Sequence, residues 1–293
     1  MNRFFSIVCF CLAGFVASAQ GDTVTYKPVA YPEGYTAQID VVYTQVDGWD
    51  GRMDLYLAPK SKGPAPVVIN IHGGGWNKGV KESQTGFNTF FKMGYSVANV
   101  EYRLADQASA PAAVEDVRCA LIYLIKNAKE LNIDTSKIVV MGGSAGGHLA
   151  LMAGMLANDH RFDKNCPGVE NIKVAAIIDK YGITDVGGWA MKSKSVARWL
   201  GDRKDDAKLA ASLSPINYVD KNNPPIFIVH GDADPTVPYE QSVALHKKLK
   251  KAGVKVEFMT VEDGLHGKFP KEKNSEVNRA IAKFLTDLGL TNK

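Results

Sequence analysis

Cysteine is scarce in this chain of 293 residues, with four in all, at positions 9, 11, 119 and 166. That is too few for a disulfide-built scaffold or a cysteine-based zinc site. No run of 18 or more apolar residues occurs, so no membrane-spanning helix is expected. The 35 Lys and Arg barely exceed the 31 Asp and Glu, leaving +4. The basic residues form no block, so charge points to no nucleic-acid partner. There is no internal repeat, no low-complexity tract and no Pro/Gly/Ser linker long enough to separate domains. An H-E-x-x-H or similar ligand spacing is missing, and so is the G-x-x-x-x-G-K-[ST] phosphate loop, so neither a metal nor another cofactor is expected. What is present is 45% apolar content, enough for one domain with a sizeable core.

The first nineteen residues read as an export signal. Arg3 precedes the apolar stretch from Phe4 to Val16, which is too short to span a bilayer, and Ala17-Ser18-Ala19 supplies small residues before a cleavage point after Ala19. The expectation is a single domain over 20–293, periplasmic or extracellular, with no membrane span after cleavage. Cys9 and Cys11 would leave with the signal. Cys119 and Cys166 would stay, either as one bridge or as two free thiols.

The mature chain opens with two alternating runs, Thr36 to Gln45 and Arg52 to Ala58, joined through residues 47–51 as an antiparallel hairpin. Residues 66–71, 95–102, 137–141, 174–179, 225–229 and 254–261 follow as short, β-branched, mostly continuous apolar runs. Such runs suit strands buried on both faces. Helices are expected between and after them, over 85–92, 111–131, 145–158, 239–252 and 275–288. The helix from Pro111 puts Val114, Val117, Leu121 and Leu124 on one face. The fold class is therefore α/β, a mostly parallel sheet covered by helices, with the hairpin at one edge. Residues 184–215, most clearly Trp189 to Ser214, break the alternation and suggest a small inserted lid.

In such a sheet, function gathers at the carboxyl ends of the strands. Three turns there carry chemistry. Gly142-Gly143-Ser144-Ala145-Gly146 lies between a strand and a helix. A serine on so sharp a turn needs small residues two before and two after it, because neighbouring backbone passes too close for side chains. His72-Gly73-Gly74-Gly75-Trp76 follows the strand ending at Ile71. Consecutive glycines let bare N–H groups face a developing oxyanion, so Gly74 and Gly75, with the N–H of Ala145, are the candidate oxyanion hole. His72 reads as a structural residue of that loop.

A serine nucleophile needs a histidine base, and the histidine needs a carboxylate; on this kind of sheet the chain order is Ser, acid, His. His266 lies in a loop just beyond the last strand and is favoured over His246, which sits in a helix. Asp234, set deep in His230-Gly231-Asp232-Ala233-Asp234-Pro235, is favoured over Asp232, which reads as a turn residue. His148 falls on the helix after Ser144, His160 in a polar loop, and His230 at a strand end. Trp76, Tyr181, Trp189 and Trp199 are candidates to line an acyl or sugar site, although ordinary core or loop packing is the first reading of each.

Taken together, His72 to Trp76, Tyr102-Arg103-Leu104, Pro111 to Asp116, Met141 to Ala150, His230 to Pro238 and Leu265-His266-Gly267 resemble the α/β-hydrolase superfamily. The resemblance is to its carboxylesterases of the bifunctional feruloyl and acetyl-xylan type, and it spans roughly Val67 to the C-terminus. It implies a three-layer α/β-hydrolase fold, a Ser144–Asp234–His266 triad, no cofactor, and a structural ion pair between Arg103 and Asp116. It also implies an acyl ester or acylated oligo- or polysaccharide as substrate, with acetyl or feruloyl groups on plant cell-wall xylan the first expectation. Hormone-sensitive-lipase-like relatives build a helical cap from the N-terminal segment; here that segment reads as two strands, implying a more open site. A serine peptidase or arylformamidase of the same superfamily is the alternative enzyme. A non-catalytic binding protein on this scaffold would be expected to carry a damaged triad position, and none is damaged.

Overall fold

The computed structural model describes residues 25–190 and 193–292. The proposed signal, residues 1–19, and Cys9 and Cys11 lie outside them. Strands β1 (Thr36–Val46), β2 (Trp49–Leu57), β3 (Ala65–Ile71), β4 (Ser96–Val100), β5 (Ile133–Gly143), β6 (Ala176–Lys180), β7 (Ile226–Gly231) and β8 (Val256–Val261) form one sheet in the order β1-β2-β4-β3-β5-β6-β7-β8. Pairing is antiparallel for β1–β2 and β2–β4 and parallel elsewhere. The N-terminal hairpin thus sits at one edge, as the alternation predicts. Its turn is tighter than the sequence suggests. Val46 pairs with Trp49, leaving only Asp47-Gly48 with φ of 50° and 81°, the two positive angles of a turn that matches strand twist.

Alternate residues of the central strands feed two cores. Val67, Ile69 and Ile71 of β3 face one cluster and Val68 the other; Ile226 and Ile228 of β7 face the first, Phe227 and Val229 the second. Burial on both faces is why these strands read as continuous apolar runs. Helices α1 (Asn88–Lys92), α2 (Ala112–Lys126), α3 (Ala128–Leu131), α4 (Ala145–Met155), α5 (Val186–Ala190), α6 (Lys194–Leu200), α7 (Ala207–Ser212), α8 (Glu240–Lys251) and α9 (Lys271–Asp287) complete the layers. The apolar faces of α2, α4 and α8 pack on one side of the sheet and those of α1 and α9 on the other. Every residue of α4 is buried, so this helix has no polar face and belongs to the interior.

The helix expected over 111–131 is split. Pro111 caps it, it ends at Lys126, and Asn127 starts the single turn α3. Arg103 is buried against Asp116 of α2, donating from Nη2 to Oδ1 at 2.7 Å and from its backbone N–H to Oδ2 at 2.8 Å. This pair ties the segment after β4 to α2. Residues 184–215 hold α5, α6 and α7, a series of short helices beyond the end of β6.

The thiols left open by the sequence form a bridge. Cys119 on α2 and Cys166 are disulfide-bonded across 47 residues, with Cα atoms 5.4 Å apart. Closing a loop of this length in the unfolded chain is worth about 4 kcal/mol on the chain-entropy account. Cys119→Ser should therefore lower the melting temperature in calorimetry by several degrees. An unchanged melting temperature would show that the bridge does not hold the fold.

Candidate active site

Ser144 sits between β5 and α4 with φ 58° and ψ −125°, a backbone region that side-chain-bearing residues rarely occupy. Two close approaches impose this turn. A Cβ on Gly142 would lie 2.2 Å from the Gly146 carbonyl oxygen, and one on Gly146 would lie 2.2 Å from that of Ile71. Only glycine fits either place, so the spacing noted in the sequence has a steric cause. The Ser144 N–H donates to the Lys180 carbonyl at 2.9 Å, fastening the turn to β6.

From there the three distant turns converge. Ser144 Oγ lies 2.8 Å from His266 Nε2, and His266 Nδ1 lies 2.6 Å from Asp234 Oδ2. The other carboxylate oxygen, Oδ1, accepts from the N–H groups of Thr236 at 2.7 Å and Val237 at 3.0 Å. Asp234 is fully enclosed, while His266 keeps 21% of its side chain exposed, on the cavity side. Burial alone would push the Asp234 carboxyl up, but the hydrogen bonds from His230, His266 and these two N–H groups outweigh it and hold it well below the usual carboxylate range. A histidine so placed can take a proton from the serine hydroxyl while the anion steadies the charge it gains.

The glycine loop lies alongside. Gly74 has φ 118°, and a Cβ there would fall 1.9 Å from the Lys78 carbonyl oxygen. Its own carbonyl accepts from the N–H groups of Asn77 and Lys78, both at 3.2 Å. Gly74 and Gly75 line a cavity of about 500 Å³ together with Ser144 and His266. Ala145 opens α4 directly after the serine and is buried beneath it. His72 behaves as a loop-holding residue. It stacks on Tyr102 at 4.2 Å, its Nδ1 lies 2.7 Å from the Gly73 carbonyl, and burial lowers its pKa.

Of the four aromatic candidates, Tyr181 and Trp189 reach the cavity wall, and Trp76 borders the cavity but is itself fully buried. Trp199 does not reach it. It is fully buried, stacked on Trp76 at 4.2 Å and edge-on to His148, because α6 uses it to pin the inserted segment onto the interior beside α4. Tyr181 stands edge-on to His266 at 4.9 Å, and burial pushes its hydroxyl up to about 12.

The remaining histidines split. His148 gives Nε2 to the Leu213 carbonyl at 2.7 Å, His160 pairs with Asp163 and His246 packs against Phe258. His230, read from the sequence only as a strand end, matters more. Its Nε2 is 3.1 Å from both Asp234 Oδ2 and the Val237 carbonyl, and its Nδ1 is 2.8 Å from Ser242 Oγ. Two acceptors at Nε2 place the proton there, so Nδ1 accepts from the Ser242 hydroxyl. Asp234 is thus gripped by two histidines. The signal was the spacing His230-x-x-x-Asp234 at a strand end. Among the described residues no three His, Cys, Asp or Glu side chains converge as a metal-ligand set.

Residues 53–249 match the BD-FAE family. Esterase LipQ of Mycobacterium tuberculosis is 30% identical over 75% of this chain and 54% of its own length. Carboxylesterase NlhH of the same organism is 29% identical over 75% of this chain and 73% of its own. The chain spans about half the length of the first curated relatives it matches. Among solved structures, a truncated carbohydrate esterase from gut microbiota superposes with a TM-score of 0.77 at 29% identity, covering 89% of this chain and 99% of that one. Butyrate-bound esterase 2 of Thermogutta terrifontis superposes with a TM-score of 0.73 at 25% identity, covering 88% and 96%.

Two outcomes follow from the grip on Asp234. A hydrogen bond to a charged group is worth about 1.5–3 kcal/mol, so His230→Phe should cut kcat by about 10- to 100-fold. Wild-type turnover in a folded His230→Phe protein would show that the second histidine is idle. Because folding depresses the Asp234 pKa, its ionisation stabilises the fold above the unfolded value of about 3.9, and that contribution vanishes as pH falls through the lower folded value. Asp234→Asn should then lower the melting temperature more at pH 7 than at pH 3; an equal loss at both would contradict it.

Proposed function

The chain belongs to the BD-FAE family of α/β hydrolases, and from that membership and the site's geometry we propose that it is an exported serine carboxylesterase. The observation that carries the reading is the continuous relay from Ser144 Oγ through His266 to Asp234, at 2.8 Å and 2.6 Å, beside a glycine loop in one cavity.

Ser144 attacks the ester carbonyl as His266 takes its proton. Asp234 holds the imidazole in the tautomer that accepts at Nε2. The N–H groups of Gly74, Gly75 and Ala145 receive the negative oxygen. His266 then protonates the leaving alcohol, and water repeats the sequence on the acyl-enzyme. The substrate is an acyl ester on a polysaccharide or oligosaccharide, with acetyl or feruloyl groups on xylan first in line. Support for a sugar-borne ester comes from the cavity wall, where Gln84, Ser193 and Ser195 offer hydrogen-bonding groups beside Trp189. The likeness to a carbohydrate esterase points the same way. Export is supported by the order of charge, apolar run and small residues at the N-terminus. The Cys119–Cys166 bridge suits an oxidising compartment outside the cytoplasm.

Ser144→Ala should lower kcat on short p-nitrophenyl esters, acetylated xylan and methyl ferulate by about 10⁶-fold, the scale seen when a serine hydrolase loses its nucleophile, with melting unchanged. Retention of most activity by the variant would sink the proposal.

A further inference from the structure

The cavity wall is lopsided in charge. Lys78 and Lys180 line it, and among the described residues no Asp or Glu does. Among the described residues neither ammonium lies within 4 Å of a carboxylate oxygen, whereas Lys81, elsewhere in the molecule, has three such partners. Asp234 cannot balance them, because it is enclosed behind His266 and already accepts four hydrogen bonds there.

The two lysines come from opposite sides of the Ser144 turn. In the sheet β5 lies between β3 and β6. Lys78 sits in the glycine loop that follows β3. Lys180 ends β6, pairs with Gly143, and receives the Ser144 N–H on its carbonyl. Neighbouring strands lie about 4.8 Å apart, so Lys180 leaves the backbone one strand away from the serine. Lys180 is also partly buried, and burial lowers its pKa. A cation short of water is one that an incoming anion compensates.

We propose that this site selects esters of sugars that also carry a carboxylate, with a uronate held against Lys180 and drawn in by Lys78. This rests on the reading of Ser144 as the esterase nucleophile. The wall favours a sugar-borne carboxylate over one on the acyl group, because Gln84, Ser193 and Ser195 share it and suit ring hydroxyls. The lysines take no part in bond breaking; they concentrate and orient the anionic substrate.

Two matched pairs of esters test it on the wild-type enzyme and on Lys180→Met, Lys180→Arg and Lys78→Met. One pair is monoacetylated methyl glucuronoside against monoacetylated methyl glucoside; the other is p-nitrophenyl hemisuccinate against p-nitrophenyl butyrate. The expected result is a kcat/KM ratio of about tenfold in favour of the uronate at low salt, the lower end of electrostatic focusing. That ratio should fall toward one at about 1 M salt, where screening acts within about 3 Å. Lys180→Met should collapse it, Lys180→Arg should keep it, and Lys78→Met should lower it. A ratio near one for the uronate pair, with Ser144-dependent hydrolysis of the neutral esters, overturns the proposal and leaves the esterase reading standing. A preference confined to the hemisuccinate pair overturns the sugar-borne source. Ester cleavage that survives Ser144→Ala removes the esterase reading and this inference together.

Discussion

Everything at this site hangs on one crowded stretch of backbone. Between β5 and α4 the chain must turn so sharply that Ser144 takes a positive φ, a conformation costing on the order of 1–3 kcal/mol. It persists because its surroundings leave no other course. Gly146 meets the carbonyl of Ile71, Gly142 meets the carbonyl of Gly146, and the Ser144 N–H is taken up by Lys180 on the neighbouring strand. Those contacts exist only because β3, β5 and β6 are adjacent and parallel. The two-sided burial of their apolar residues fixes that order, so a hydroxyl standing clear of the sheet is in the end a product of packing.

Around that point the electrostatics are arranged from outside inward. Asp234 is enclosed, yet four donors keep it ionised, and two of these are imidazoles. His230 is itself held by Ser242, so the carboxylate is oriented from α8 as well as from its own loop. The anion is therefore fixed before any substrate arrives, which is how a preorganised site avoids paying for reorientation during reaction. His266 bridges from this rigid base to the open side of the cavity.

Much of this was legible in the chain. The parallel sheet followed from continuous β-branched runs, and the convergence of residues 144, 234 and 266 from chain order and their position just beyond strand ends. What escaped the sequence depended on three-dimensional neighbours. The pairing of Cys119 with Cys166 required knowing that the loop after α4 returns to α2. The contribution of His230 required the path of the Asp234 loop, which folds the carboxylate back over the strand end. For Trp199 the sequence left both cavity lining and packing open, and α6 turns it inward onto Trp76 and His148. One expected helix became two at Asn127, whose backbone leaves the helical region with φ −101° and ψ 12°.

The central claim is that Ser144 becomes covalently bonded to the acyl carbon during turnover. The most direct measurement is intact-protein and peptide mass spectrometry after treatment with a fluorophosphonate. A single adduct on the peptide carrying Ser144, absent when the protein is unfolded before treatment, is the expected result. No adduct on the folded protein, or an adduct on a different residue, would contradict it.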